Sequence, residues 1–470
     1  MADTTLIDDT TGTFHLTSHQ PRMGLMIAWS KAEPERIGEI LLSPNTAPSA
    51  LGRGAEGDGA PRMTAWRLRP GEQRLQPPLA DPRISRRQLL VNVVGGRRLR
   101  LVSAGRRRLL VRGAPAQEVT LSPGECAEIE GRLLLLCVSL PPQFAVGDPP
   151  THPFARPDER GLVGESPETW ALRGRLTRFA SVSEHALIQG HSGSGKELAA
   201  RALCGGGAFV SRNAATLPEG LVDAELFGNL RDYPNPGTPE RPGLIGAASG
   251  GALFLDEIGE LSEALQARLL RVLDDGEYQR LGEARTRTAS FRLIAATNRP
   301  DSVLKEDVLA RLPLRLSIPG LSERRGDIPL LAAHLLRVNA AKNPSLHRFF
   351  PGGDLDGWPR IDLRLMDTLI ARDYTTNARE LWRLLLDGAL QSDGDWIAPP
   401  ATAQAAAEAP ADWRLWVGRP HAELPAAVIQ ACLDEHNGRL DHTSEALGLN
   451  NRHTLSRLIK RHGLVVKRQA

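Results

Sequence analysis

The sequence has little cysteine and almost no lysine. Its four cysteines, Cys126, Cys137, Cys204 and Cys432, stand far apart with no CxxC spacing and no Cys/His ligand set. That pattern argues against a disulfide scaffold or zinc site and suits a reducing compartment. No run approaches the ~18 apolar residues that a membrane span needs. The first twenty residues, MADTTLIDDTTGTFHLTSHQ, are acidic and polar, without the basic start and apolar stretch of a signal peptide. A soluble, cytoplasmic chain with no membrane partner is expected. Only six of the 58 basic residues are lysine, and acid is missing altogether between Arg83 and Arg112, where ten arginines fall.

Arginine grips phosphate through two parallel N–H donors where lysine offers a point charge, so phosphate-bearing partners are implied. A GC-rich genome would also favour arginine. The net charge of +3 hides its distribution. Residues 1–150 carry 19 basic and 15 acidic side chains, 151–420 carry 32 and 35, and 421–470 carry 7 and 5. At 470 residues and 41% hydrophobic, the chain exceeds one core and allows about three domains. Residues 141–160 are proline-rich and 398–412 are alanine and proline with little else. Both read as exposed connectors. They separate an N-terminal part (1–140), a central part (161–397) and a C-terminal part (413–470), and no repeat of solenoid period is present.

The first part reads as a β-sandwich, from short apolar runs at 88–94, 97–103, 107–113 and 131–140 punctuated by Gly, Pro and Ser. The central part alternates strand and helix. HALIQG (185–190), GALFLDEI (251–258) and FRLIAAT (291–297) are expected as buried parallel strands. Residues 262–277 place Leu265, Leu269 and Leu273 on one helical face, with Ser262 as cap. The C-terminal part reads as all-α.

GHSGSGKE (190–197) lies between the strand HALIQG and the helix ELAARALC, the context that makes a phosphate-binding loop credible. Gly190, Gly193 and Gly195 let backbone N–H groups curl around phosphate oxygens, and the helix N-terminus adds positive potential. His191, Ser192 and Ser194 complete the loop, and Lys196 would reach the β- and γ-phosphates. Glu197 stands where most such loops carry Ser or Thr for Mg²⁺. Sixty residues on, LFLDEI ends a strand with Asp256 and Glu257. Asp256 suits holding Mg²⁺ through water, and Glu257 suits polarising an attacking water. ATP with Mg²⁺ is the expected ligand, and an α/β P-loop fold follows.

The central part resembles the AAA+ module of the sigma-54-dependent transcription activators, the bacterial enhancer-binding proteins. The resemblance rests on LVGES (162–166), GHSGSGKELAARAL, ELFG (225–228), GGALFLDEIGEL (250–261), LQARLLRVLDDGEYQRLG (265–282), IAATN (294–298), ERRGDIPLLAAHLL (323–336) and NARELWRL (377–384). It covers roughly 230 residues and makes Glu197 normal, since the family's loop usually reads GESGTGKE. The resemblance implies a helical lid and Val163 and Gly164 near the adenine. It makes Thr297 and Asn298 sensors of the γ-phosphate, Asn213 a switch partner of Glu257, and Arg379 the second sensor arginine. It further implies an oligomer, from dimer to hexameric ring, in which Arg311 reaches a neighbour's ATP. Arg311 matches the second of the family's two such arginines and Lys305 stands in place of the first, which implies slower hydrolysis.

In the family a GAFTGA loop after ELFG touches sigma-54 RNA polymerase. Here the six positions hold DYPNPG (232–237), so the family's phenylalanine becomes Pro234 and its threonine Asn235. Either this loop touches a different surface, or coupling to sigma-54 is lost and ATP is a structural or switching ligand.

Residues 436–464 read as two short helices around Gly448 followed by a basic helix, and resemble the Fis-type helix-turn-helix of these activators. Arg452, His453, Thr454, Ser456, Arg457, Lys460 and Arg461 lie on or near the candidate recognition helix and would meet double-stranded DNA. The turn reads one residue longer than the family's commonest form. The N-terminal part resembles a forkhead-associated domain through Leu51-Gly52-Arg53 and Asp81-Pro82-Arg83-Ile84-Ser85-Arg86. That resemblance implies that Arg53, Ser85 and Arg86 grip a phosphothreonine protein. Gln88 replaces the family's structural histidine, and a later Asn-Gly element is missing. The reading is an ATP-dependent regulator of the sigma-54 activator type. The alternatives are a sigma-54-independent DNA-binding regulator that uses ATP to set its oligomeric state, and a phosphoprotein-tethered remodelling adaptor.

Overall fold

The computed structural model describes residues 21–43, 48–54, 60–142, 144, 148–217, 221–399, 426–436, 438–449, 452–462, 464 and 466. Within them, the N-terminal part builds two antiparallel sheets. The larger runs from Glu72–Gln76 through Thr64–Arg69, Ile40–Leu42, Arg22–Ser30, Leu133–Leu140, Cys126–Ile129 and Leu109–Val111 to Ala114–Ala116. The smaller orders Glu118–Leu121, Arg98–Ser103, Leu89–Val94 and Ser49–Leu51.

Arg22–Ser30 and Leu133–Leu140 pair at the centre of the larger sheet, with Leu25 opposite Cys137 and Ile27 opposite Leu135. Side chains alternate across a strand, yet both strands are apolar on both faces. Leu25, Ile27, Leu133, Leu135 and Cys137 fill the space between the two sheets. Met26, Trp29, Leu134 and Leu136, from the opposite face, join a second core with Leu330, Leu336, Met366 and Leu369 of the lid helices Ile328–Ala340 and Leu363–Ala371. Trp29 meets Trp358 edge-on at 6.1 Å between ring centroids. Lys31 pairs with Asp362 at 3.2 Å and lies over the Trp396 ring.

The stretch 141–160 therefore does not hang free as a connector. Phe144 is buried in the shared core, and Phe154 lies under the guanidinium groups of Arg67 and Arg69. Its prolines stop it forming a strand, but its aromatics still find apolar partners. The second expected connector, 398–412, falls outside the described residues from 400 onward.

The central sheet is parallel, in the order Phe209–Asn213, Ala252–Asp256, Arg292–Thr297, Ala186–Gln189, Leu314–Ser317. Its register sets Gln189 beside Thr297 and Asn213 beside Asp256, so all four carboxyl ends lie on one edge, where α/β sheets take ligands. Helix Glu263–Asp275 starts at Ser262, whose hydroxyl accepts from Leu265 N, and stops at Gly276 with φ 71°. Leu269 and Val272 are its buried face, with Leu265 and Leu273 packed at the margin. The C-terminal helices Ala426–Glu435, Leu440–Ala446 and Arg452–His462 enclose a small core of their own, including Ile429, Cys432, Leu447 and Leu455. Among the described residues no helix is long and apolar enough to cross a membrane.

The shared core predicts joint unfolding of sandwich and lid. Trp29→Ala should cost about 3–5 kcal/mol and, in scanning calorimetry, lower the transition of the central part together with that of the sandwich. Two independent transitions, only one of them shifted, would show that the units are separate.

Candidate nucleotide site

The loop leaves strand Ala186–Gln189 and enters helix Lys196–Cys204. Gly193 (φ 71°) and Gly195 (φ 106°) take left-handed backbone that side chains resist. Lys196 is buried and donates to Gly190 O at 3.0 Å and to Glu257 Oε1 at 3.4 Å. Asp256 ends its strand and accepts from Glu257 N at 3.0 Å. Burial pushes the Asp256 carboxyl up from the ordinary aspartate value, against the pull of Lys196. Glu257 sits at φ 53°, a strained conformation for a residue with a Cβ, and also accepts from Asn298 N at 3.3 Å. Thr297 is fully buried, and its hydroxyl accepts from Arg299 N.

Helix Asn377–Gln391 closes over the loop. Arg379 Nη1 donates to Ser192 Oγ at 3.0 Å, Ala378 N to Gly193 O at 3.2 Å, and Asn377 Nδ2 to Ser192 O at 3.0 Å. Asn377 Oδ1 accepts from Leu321 N at 2.8 Å, tying loop, lid and the segment before the lid together. Below them, Val163 is buried. A Cβ on Gly164 would come within 2.5 Å of the Asp327 carboxylate, which shows why glycine stands there.

Lys196, Asp256, Glu257, Thr297, Asn298 and Arg379 thus come together with the loop glycines, Ser192 and Ser194. Other expected residues do not join them. The Asn213 side chain accepts from Ala215 N and caps the turn Ala214–Thr216. It does not pair with Glu257, whose two oxygens go to Lys196 and Asn298 N. Glu197 pairs with Arg201 one helical turn on, and His191 is exposed. Arg311 makes a two-pronged contact with Asp274, and Lys305 lies 3.9 Å from Glu263, both on the exposed side of helix Glu263–Asp275.

Residues 162–319 match the sigma-54 interaction domain family. The transcriptional regulatory protein ZraR of Salmonella typhimurium is 33% identical over 320 residues, spanning 65% of this chain and 70% of that protein. This chain belongs to the sigma-54-dependent transcriptional activators. The anaerobic nitric oxide reductase transcription regulator NorR of Aeromonas hydrophila is 33% identical over 338 residues, spanning 66% of this chain and 64% of that protein. Among solved structures, NtrX of Brucella abortus in complex with ATP is similar at 27% identity and a TM-score of 0.44, covering 66% of this chain and 70% of that one.

Residues 229–242 form a loop closed on itself, with Asn229 and Arg241 bonded backbone to backbone. The buried Asn229 side chain donates to Leu230 O, Tyr233 O and Pro239 O, and Asp232 bonds to Thr238 and Gly237 across the turn. Tyr233 covers Gly282 and is half exposed.

In the sandwich, three loops converge. Arg53 N donates to Ser85 O, and Ser85 Oγ accepts from Arg106 N. Gln88 is buried, accepts from Ser85 N and donates to Arg107 O, so an amide bridges the loops at this place. Arg62 spans from Gly52 O to Arg86 O. Arg53 Nε is buried without a partner, and Arg86 is exposed. In the last helix Leu455 and Leu458 face the core, while Arg452, His453, Ser456, Arg457 and Lys460 are exposed and Thr454 half-buried. The Arg461 side chain and the turn residues 450–451 lie outside the described residues.

Sequence reasoning missed Asn377, Asp327 and Arg324. Each lay inside a quoted motif, but only a long-range contact shows what it touches. Gly193→Ala should cost about 1–2 kcal/mol through backbone conformation alone, and its methyl would meet Thr376 O at 2.3 Å. The lid should part from the loop, seen as faster hydrogen exchange at Ala378 N; unchanged exchange would contradict this contact.

Proposed function

We propose that this chain is an ATP-hydrolysing transcriptional regulator that works as a homo-oligomer on double-stranded DNA in the cytoplasm. The observation that carries the reading is the meeting of Lys196, Asp256, Glu257, Asn298 and Arg379 with a glycine loop at one sheet edge. Loop N–H groups and Lys196 would hold the β- and γ-phosphates. Glu257 orients and polarises water for ATP + H₂O → ADP + phosphate, Thr297 and Asn298 sense the γ-phosphate, and Arg379 reports it to the lid. Val163 and Gly164 would lie near the adenine. Asp256 suits Mg²⁺, because a cation there relieves a carboxyl that burial already disfavours as an anion. Bound Mg²⁺ would supply neutralisation of phosphate charge. Arg311 and Lys305, half-buried and paired with Asp274 and Glu263 of helix Glu263–Asp275, suit the ATP of a neighbour in a ring. Arg452, His453, Thr454, Ser456, Arg457, Lys460 and Arg461 would meet DNA, and Arg53, Ser85 and Arg86 a phosphothreonine protein.

The full chain should hydrolyse ATP, and Lys196→Ala should lower phosphate release by at least about a hundredfold. Glu257→Gln should lose hydrolysis while retaining ATP. Equal turnover in wild type and Lys196→Ala would sink the reading.

The closed 229–242 loop favours a second reading, in which ATP acts on oligomeric state and the polymerase contact made through GAFTGA is gone. With sigma-54 polymerase and ATP, permanganate footprinting should show no open complex for wild type and opening once GAFTGA replaces 232–237. Opening by the wild-type chain would refute this second reading and leave the first.

A further inference from the structure

A continuous polar chain runs from the sandwich to the phosphate-binding loop through the interior. Arg69, on strand Thr64–Arg69, grips Glu165 with two parallel bonds, Nε to Oε2 at 3.0 Å and Nη2 to Oε1 at 2.5 Å. Glu165 N donates to Asp327 Oδ1 at 2.8 Å. The Thr169 hydroxyl donates to Asp327 Oδ2 at 2.6 Å and accepts from Arg324 Nη1 at 3.3 Å. Arg324 Nη2 then donates to Ser194 O, in the loop itself, at 3.3 Å. Arg69, Glu165, Thr169, Ser194, Arg324 and Asp327 are each no more than 8% exposed.

Three features make this more than a row of neighbours. Charged groups out of water hold their places strongly, because a slipped partner leaves a buried charge uncompensated. Glu165 is satisfied from both sides of the boundary: besides Arg69 it accepts from Ala155 N at 2.9 Å and Trp170 Nε1 at 3.2 Å. Arg324 lies at the far end without a carboxylate within bonding distance, and its Nε has no partner. The hydrogen bonds of its guanidinium go to the Thr169 hydroxyl and to the loop carbonyl. A displacement of Glu165 therefore passes through the firmly bonded Asp327 and Thr169 to a guanidinium held by two hydrogen bonds.

We propose that Arg69 of the N-terminal sandwich is a positioning residue for the phosphate-binding loop, acting through Glu165, Asp327, Thr169 and Arg324. The inference rests on the nucleotide reading above and adds that the loop reaches its binding geometry only with the sandwich docked. Because coupling is reciprocal, a sandwich ligand that changes nucleotide affinity by some factor has its own affinity changed by nucleotide by the same factor.

The test is isothermal titration of ADP into the full chain. Arg69→Lys keeps the charge and loses the two-pronged grip; Thr169→Val keeps the shape and loses the hydroxyl. Each should weaken ADP about tenfold, Thr169→Ser should restore it, and the double variant should bind no more weakly than the weaker single one. Lys31→Ala, which loosens a different sandwich contact, should bind ADP as wild type does. A purely structural role would make Lys31→Ala behave like Arg69→Lys, or let the two losses multiply in the double variant; either result overturns the proposal, as does wild-type affinity in Arg69→Lys. Wild type failing to bind ADP would overturn the nucleotide reading and this inference with it.

Discussion

The Asp327 carboxylate lies out of contact with water and takes hydrogen bonds from the backbone N–H groups of Glu165 and Ser166 and from the hydroxyls of Ser166 and Thr169. A buried carboxylate is tolerated only when its acceptor sites are filled, so these donors have little freedom to be elsewhere. Filling them sets the path of residues 164–169, demands glycine at 164, and starts helix Pro167–Ala180 through the Ser166 cap. The same residue begins the first lid helix, where it stands just before Ile328–Ala340. Sandwich, sheet and lid are thereby indexed to one side chain.

The second constraint is apolar. Two central strands of the sandwich carry large side chains on both faces, and only one face can point between the two sheets. Burying the other face against the lid helices removes Trp29, Leu134 and Leu136 from water together with Leu330, Met366 and Leu369. A sandwich used only as a tethered sensor would leave a polar outer face at this place. Here the sandwich and the central part share a core, while the three loops around Arg53, Ser85 and Arg106 converge elsewhere, bridged by the buried Gln88.

Much of this was legible in the chain. GHSGSGKE, with its glycines and its strand-to-helix context, marks the loop because few other structures need that spacing. Asp256 and Glu257 follow an apolar run whose length suits a buried strand, and the parallel register then brings them beside Lys196. The run GRLLLLCVSL announced a strand, whereas the burial of both its faces is seen only with the lid helices packed on it. Asn213 misled because its motif position implied a partner, whereas an asparagine with a free backbone N–H two residues on caps its own turn. The proline-rich 141–160 misled because composition speaks of secondary structure, and says nothing of where Phe144 and Phe154 find cover.

By itself the sequence determined the three-part order, the strand and helix periods, and the residue types needed to hold phosphate, since these depend on side-chain chemistry and local backbone preference. Only the tertiary structure decided which polar groups meet: that Asn377 holds the loop to the lid, that the 229–242 segment closes on Asn229, and that Arg69 finds Glu165. Those pairings join residues ten to nearly two hundred positions apart, and a hydrogen bond requires a distance and a direction that no local pattern encodes. The scarcity of lysine takes its meaning from the same source, because a fixed planar fork can span Arg69 to Glu165 or Arg311 to Asp274 in two bonds where an ammonium would make one.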